Sequence, residues 1–262
     1  MIKLLVDANY QKGPEETICQ LYQVEPDFFS LLQQEVIDLV AHERPSYPTN
    51  QGHNSNWSSP EGEIQQFSLL NRSGIFSDIS SDHDRSIIGK KFFHGSRYPH
   101  LQQFISLFPH AVNFRINQLG AKSYFTQHQE DISFIHRLTQ KPALRVRFHL
   151  PIATHPDAHM LMEGALYHFE PGTIYFFHNG CIHDGINWSE TESRIHLIWD
   201  MLLTEETFHN MFEQKITNSI LTPTTTTELS STGYIGIDPN YKKTVRKVPY
   251  EEALGTTLCP VQ

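Results

Sequence analysis

The run Leu144-Arg145-Val146-Arg147-Phe148-His149-Leu150 alternates strictly between apolar and cationic residues. An extended strand sorts such a run completely, because successive side chains point to opposite faces. Leu144, Val146, Phe148 and Leu150 then share one face, and Arg145, Arg147 and His149 the other. Arg194-Ile195-His196-Leu197-Ile198-Trp199 repeats the pattern, with Arg194 and His196 opposite Ile195, Leu197 and Trp199. Cations on a single strand commonly face solvent. Two strands that both gather cations on one face fit the polar interior of a barrel.

The rest of the chain fits that constraint. Ala111 to Leu119, Ala143 to Ile152, Ala165 to Phe169, Thr173 to Phe177 and Ser193 to Leu202 are short β-type runs punctuated by Pro, Gly, Asn and Asp. So many strands in so short a stretch predict a compact sandwich or barrel. Ahead of them, Glu25 to Ala41 places Phe28, Phe29, Leu32, Val36, Leu39 and Val40 at helical spacing, and Tyr98 to Phe108 does the same with Leu101, Phe104 and Ile105. Gln51 to Glu63, rich in Asn, Ser and Gly, is expected to be a loop and a lid. Thr204 to Glu213 opens Thr-Glu-Glu and predicts a capped helix; beyond a Thr/Ser tract, a tail carries the basic run Lys242 to Lys247. The expected organisation is one structural domain of mainly β (α+β) class. It has an N-terminal helical and loop part (1–108), a β core (109–203) and a C-terminal helix and tail (204–262).

Composition narrows the function classes. Twenty Lys+Arg against 29 Asp+Glu give a net charge of −9, which repels nucleic acid and anionic lipid, so neither is an expected partner. No apolar stretch approaches a membrane span. The opening run to Asp7 has no small-residue cleavage site, and Cys19, Cys181 and Cys259 are odd in number and scattered, without metal or disulfide spacing. A cytoplasmic, reducing location is therefore expected. The compositional anomaly is 16 histidines, and histidine is the commonest metal ligand and proton carrier near neutral pH.

His128 and Glu130 lie two residues apart, so at a strand edge both side chains project to one side and can grip one ion. His183, in the turn Gly180-Cys181-Ile182-His183-Asp184-Gly185, is placed to supply a third ligand from a distant strand. Two histidines and one carboxylate on one side of an ion leave the opposite positions open, the geometry of non-haem Fe(II) oxygenases. Asp131 is a fallback carboxylate that alternation disfavours, and His136 is a rival ligand without a carboxylate at the right spacing. His155, His159, His168, His178 and His209 are expected at strand ends, turns or the surface, and Cys181 as a small buried residue.

Taken together, these pieces resemble the Fe(II)/2-oxoglutarate-dependent dioxygenases of the aspartyl/asparaginyl β-hydroxylase and proline cis-hydroxylase group. The resemblance runs from Asn117 through Leu202. It rests on His128-Gln129-Glu130, Arg147-Phe148-His149-Leu150, His168-Phe169-Glu170-Pro171-Gly172-Thr173-Ile174-Tyr175-Phe176-Phe177, His183 and Arg194-Ile195-His196-Leu197-Ile198-Trp199-Asp200, in that order and spacing. It implies a double-stranded β-helix (jelly-roll, cupin-like) core with flanking helices. It also implies His128, Glu130 and His183 as the iron ligands, and Arg194 as the partner of the 2-oxoglutarate C5 carboxylate, a task that suits a planar guanidinium fork. His149 and Arg147 are implied beside the co-substrate. The chain departs from the proline hydroxylases in carrying Glu130 where they usually carry Asp, and in a longer segment between the first two ligands and Arg145. A carboxylate at position 130 argues against halogenation.

The expected activity is hydroxylation of an unactivated C–H bond in a small molecule, a free amino acid or amino-acid derivative, with Fe(II), 2-oxoglutarate and O2 consumed to give succinate and CO2. The alternatives are a peptidyl or natural-product substrate, or a non-oxidative metal-binding cupin-like isomerase or lyase that has no use for Arg194. An inactive relative serving as an interaction module has no use for the triad.

Overall fold

The computed structural model describes residues 17–45, 63–78, 92, 96–136, 138–224, 229–241, 243, 248 and 252. The N-terminal run, the expected lid apart from Glu63, Cys259 and the basic tail run apart from Lys243 lie outside them. Among the described residues no helix is long and apolar enough to cross a membrane.

Two antiparallel sheets form the core. The larger contains, in chain order, β1 (Ile18–Val24), β2 (Ile64–Ser68), β3 (Ala111–Leu119), β4 (Ser133–Ile135), β5 (Pro142–Ala153), β8 (Thr173–Phe177), β10 (Arg194–Leu202) and β11 (Leu221–Pro223). The smaller contains β6 (Ala158–Met162), β7 (Ala165–Tyr167), β9 (His183–Asn187) and β12 (Gly233–Tyr234). Spatial order is β11-β1-β8-β5-β10-β3-β2 in the large sheet, with β4 on β5, and β12-β7-β6-β9 in the small one. This is the double-stranded β-helix, the jelly-roll arrangement that the family resemblance implies, where the strand and turn pattern alone predicts a compact sandwich or barrel.

The alternation in β5 and β10 divides the large sheet into two faces. Outward, Leu144, Val146, Phe148, Leu150, Leu197 and Trp199 join one apolar cluster with the helices. Trp199 stacks on Phe114 at 5.0 Å and meets Phe104 edge-on at 5.7 Å. Helix α1 (Pro26–His42) buries Leu32, Val36 and Leu39 in this cluster. Its start is fixed by Pro26 and by the Glu25 carboxylate, which accepts from the Asp27 and Phe28 backbone N–H groups. Helix α2 (Pro99–Ser106) contributes Leu101, Phe104 and Ile105. Inward, Ile18, Tyr175 and Phe177 meet Met160, Met162 and Tyr167 of the small sheet. The cationic face of β5 and β10 therefore lies between the sheets.

Two expectations need correction. The segment before residue 109 is not only helix and loop, since β1 and β2 extend the large sheet on both sides and β11 adds a strand from beyond residue 203. In β1, Ile18-Cys19-Gln20-Leu21-Tyr22-Gln23-Val24, a glutamine follows each apolar pair and the register shifts between Gln20 and Tyr22, so alternation does not mark it; in β2 the apolar positions are Ile64 and Phe67, too few to stand out. The helix expected over Thr204 to Glu213 begins as foreseen, with the Thr204 hydroxyl accepting from Thr207 N–H, as α3 (Glu205–Thr207). It then widens into a π-helical turn, Phe208–Phe212. The wider turn buries both Met211 and Phe212, and Phe212 reaches Phe176 (5.1 Å) and Phe148 (5.9 Å).

Candidate metal centre

The segment after β3 leads back to the small sheet, where His128 bridges His183 at the start of β9. Each backbone N–H donates to the other's carbonyl, at 3.0 and 2.9 Å. The pairing holds the two imidazole rings 4.2 Å apart. The His128 Nδ1 lies 2.8 Å from the Thr126 carbonyl and the His183 Nδ1 lies 2.9 Å from the Cys181 carbonyl. A carbonyl only accepts, so both rings carry their proton on Nδ1 and turn Nε2 inward, the tautomer a metal ligand requires.

Glu130 completes the group. Its Oε1 is 3.9 Å from His128 Nε2 and 3.7 Å from His183 Nε2, and one ligand atom from each of the three residues lies within 4.8 Å of the others. Two imidazoles and one carboxylate, inward-facing and on one side, suit a divalent transition ion with open positions. The rivals fall away on geometry. The Asp131 carboxylate accepts from the Ser133 N–H (3.0 Å) and hydroxyl (2.7 Å), and His136, at the end of β4, is not among the three residues brought together.

The electrostatics around Glu130 were not foreseen. Arg145 and Arg147 both donate to its carboxylate, joined by Asn179 Nδ2 at 3.1 Å. The same two guanidiniums bind Asp200, which is fully buried and also accepts from Asn113 Nδ2 at 2.8 Å. Register explains the cage, since Arg145, Arg147 and His149 face Leu202, Asp200 and Ile198 on the adjacent strand. Burial alone would push the Glu130 carboxyl up, but Arg147 and Arg145 outweigh it and hold it well below the usual carboxylate range. The same balance lowers Asp200. Arg147 is therefore placed otherwise than expected: its fork is engaged by the carboxylates of Glu130 and Asp200 and is not left open for a co-substrate.

Arg194 has the opposite surroundings. It is 2% exposed, and among the described residues its fork meets neutral groups: Asn117 Oδ1 at 3.3 Å, Met160 Sδ at 2.9 Å and His196 Nδ1 at 2.6 Å. Burial, only partly offset by Asp184, brings its pKa down to about 9. A buried guanidinium without a carboxylate in its fork is costly, and a dicarboxylate reaching in from the metal would satisfy it. Gly185 lets the fork lie there, because a Cβ at that position would stand 3.3 Å from Arg194 Nη1. His149 lies on the same inner face: it is 3% exposed, its ring lies 5.0 Å from Phe177, and its buried Nε2 has no hydrogen-bond partner among the described residues. Burial and the nearby Arg194 and Arg147 hold His149 well below the usual imidazole range, hence neutral.

The other singled-out residues have structural surroundings. Cys181 is buried, and Asn187 donates to the carbonyls of Leu119, Gly120 and Glu192. The half-exposed Trp188 lies 5.1 Å from the His159 ring, and His209 pairs with Glu213 on its own turn.

The family model described as aspartyl/asparaginyl β-hydroxylase matches residues 32–203, a span that contains His128, Glu130 and His183, the arginine cage and Arg194. No curated protein matches the chain. Among solved structures, a cupin 2 domain-containing protein from Halorhodospira halophila is similar at 10% identity and TM-score 0.26, covering 34% of this chain and 51% of that one. A Pseudomonas putida prolyl-4-hydroxylase is similar at 13% identity and TM-score 0.35, over 77% and 98%. The epimerase SnoN, in complex with Fe3+, alpha ketoglutarate and nogalamycin RO, is similar at 11% identity and TM-score 0.44, over 78% and 86%. All three likenesses are remote.

Proposed function

Because the chain belongs to the aspartyl/asparaginyl β-hydroxylase family and is thus an enzyme of the hydroxylase class using Fe(II) and 2-oxoglutarate, we propose that it hydroxylates an unactivated C–H bond of a free amino acid or amino-acid derivative. The observation that carries this reading is the pairing of two features between the sheets: a ligand group of His128, Glu130 and His183, and a buried guanidinium, Arg194, with no carboxylate in its fork. A metal-binding isomerase or lyase needs the first alone.

In this reading His128 and His183 present Nε2 and Glu130 presents Oε1 to Fe(II), which supplies the means to couple decarboxylation of 2-oxoglutarate by O2 to oxidation of a second molecule. The backbone carbonyls of Thr126 and Cys181 keep the two rings in the ligating tautomer. Arg145, Arg147 and Asn179 fix the carboxylate. The longer side chain of Glu thus serves where the proline hydroxylases it resembles usually carry Asp. Arg194 takes the far carboxylate of 2-oxoglutarate as a bidentate partner. His149, kept neutral, offers its unpartnered Nε2 to the near end. Phe169 and Phe177, both buried beside His149, keep water from the co-substrate.

The test is succinate formation from 2-oxoglutarate with Fe(II) in air, stimulated by single members of a panel of free amino acids, N-acyl amino acids and short peptides, with mass spectrometry for a product one oxygen heavier. Stimulation by free or N-acylated amino acids is the expected result, and Arg194→Met should raise the 2-oxoglutarate concentration needed by at least tenfold. Stimulation by peptides alone would move the substrate to the peptidyl class. A 2-oxoglutarate requirement unchanged in Arg194→Met would remove that residue from the co-substrate site.

A further inference from the structure

Among the described residues, four arginines lie on the inner face of the large sheet, and three of them have a partner or a proposed one. Arg145 and Arg147 are matched by Glu130 and Asp200, and Arg194 awaits the far carboxylate of the co-substrate. The fourth is Arg115, in the middle of β3. Its register partners are Ile198 on β10 and Ser68 on β2, and Ile198 in turn faces His149 on β5. Paired residues of an antiparallel sheet share a face. Arg115 thus stands in one row with His149, two strands and about 10 Å away, on the side that also holds the metal ligands.

Arg115 has no ion pair among the described residues, and its buried Nε has no hydrogen-bond partner. Its charge is felt by Asp200, but both oxygens of that carboxylate already accept from Arg145 and Arg147. Its neighbours along the same face, Gln66, Ser68, Asn113 and Asn117, are uncharged. Among the described residues, four guanidiniums on this face meet two carboxylates, and Asp184, beside Arg194, offsets one more at most. Fe(II) and doubly charged 2-oxoglutarate cancel each other, so loading the site leaves this positive excess standing. Arg115 is half-buried with its Nε shut from solvent, and an unmatched charge so placed favours an anion entering with the substrate.

We propose that Arg115 is the substrate-anchoring residue and that it binds a carboxylate of the substrate, so that the molecule hydroxylated is a small acid with a free carboxylate and not its amide or ester. This rests on the hydroxylase reading and narrows it. The planar fork suits a carboxylate bidentately, and Gln66 and Asn117 on the same face offer hydrogen-bond partners to the polar atoms beside it. With one end held at Arg115, the rest of the substrate spans the row toward His149 and the metal ligands.

The test uses the protein loaded anaerobically with Fe(II) and 2-oxoglutarate. It is titrated by calorimetry with free and N-acetylated amino acids, each compared with its own primary amide. The proposal predicts that acids bind and that their amides bind at least tenfold more weakly. It further predicts that Arg115→Met weakens the acids by at least tenfold while leaving the amides as they were, and that Arg115→Lys falls between. The acid-to-amide ratio in the unaltered protein needs no variant, so a poorly folding Arg115→Met still leaves a decisive measurement. Equal binding of acid and amide, an unchanged acid affinity in Arg115→Met, or binding of no carboxylate in the panel would overturn the proposal. The visible band of the Fe(II)·2-oxoglutarate chelate, recorded on the same samples, reports the hydroxylase reading separately: its absence from the unaltered protein counts against that reading, and its presence beside indiscriminate binding counts against Arg115 alone.

Discussion

At the residue scale, the site is a matter of which buried charges have partners. Asp200 and Glu130 share two guanidiniums, whereas His183, His149 and His196 are buried as neutral rings. Burial and the neighbouring His128 bring His183 down from the ordinary 6.5 to about 4. Burial and Arg194 lower His149 and His196 well below that ordinary value. A histidine with a depressed folded pKa takes up its proton more readily when unfolded, so its contribution to stability is complete above about pH 6.5 and is lost as pH falls through that window. For the metal-free protein, the urea midpoint should therefore decline steadily from about pH 6.5 toward pH 4; a flat profile there would mean that these rings are not buried neutral. The sequence made His128, Glu130 and His183 legible because i, i+2 spacing and a turn histidine are local signals. It did not disclose the use of Arg147, because Asp200 is 53 residues away from it and only strand register makes them neighbours.

At the scale of the elements, strict alternation did most of the work. β5 and β10 appear where Leu144 to Leu150 and Arg194 to Trp199 alternate, and β3 spans Ala111–Leu119 as the pattern predicts. β1 is not legible in the sequence because its glutamines break the apolar signal, nor is the π-helical turn at Phe208–Phe212, because its apolar spacing also fits an α-helix. The outer face of the large sheet hinges on Trp199, fully buried and surrounded by Phe104, Phe108, Phe114 and Phe148. Replacing it by Ala should cost about 3–5 kcal/mol in denaturant unfolding, through lost transfer energy and the cavity left behind. A cost below about 1 kcal/mol would show that helix α2 is not held by this cluster.

For the whole molecule, function follows from how the two sheets are closed over each other. The large sheet supplies the cations, Arg194 and the arginine cage. The small sheet, through β9, supplies His183 and, by backbone pairing, holds His128 and the Glu130 beside it. The proposed ligand group and the proposed partner of the co-substrate, Arg194, thus come from opposite sides of one interior. The measurement that tests this most directly is anaerobic addition of Fe(II) and then 2-oxoglutarate to the purified protein, with the visible spectrum recorded at each step. The account predicts a weak charge-transfer band that appears only after 2-oxoglutarate is added and is absent from a folded His183→Ala variant. Iron binding without such a band, or a band of full strength in His183→Ala, would contradict it.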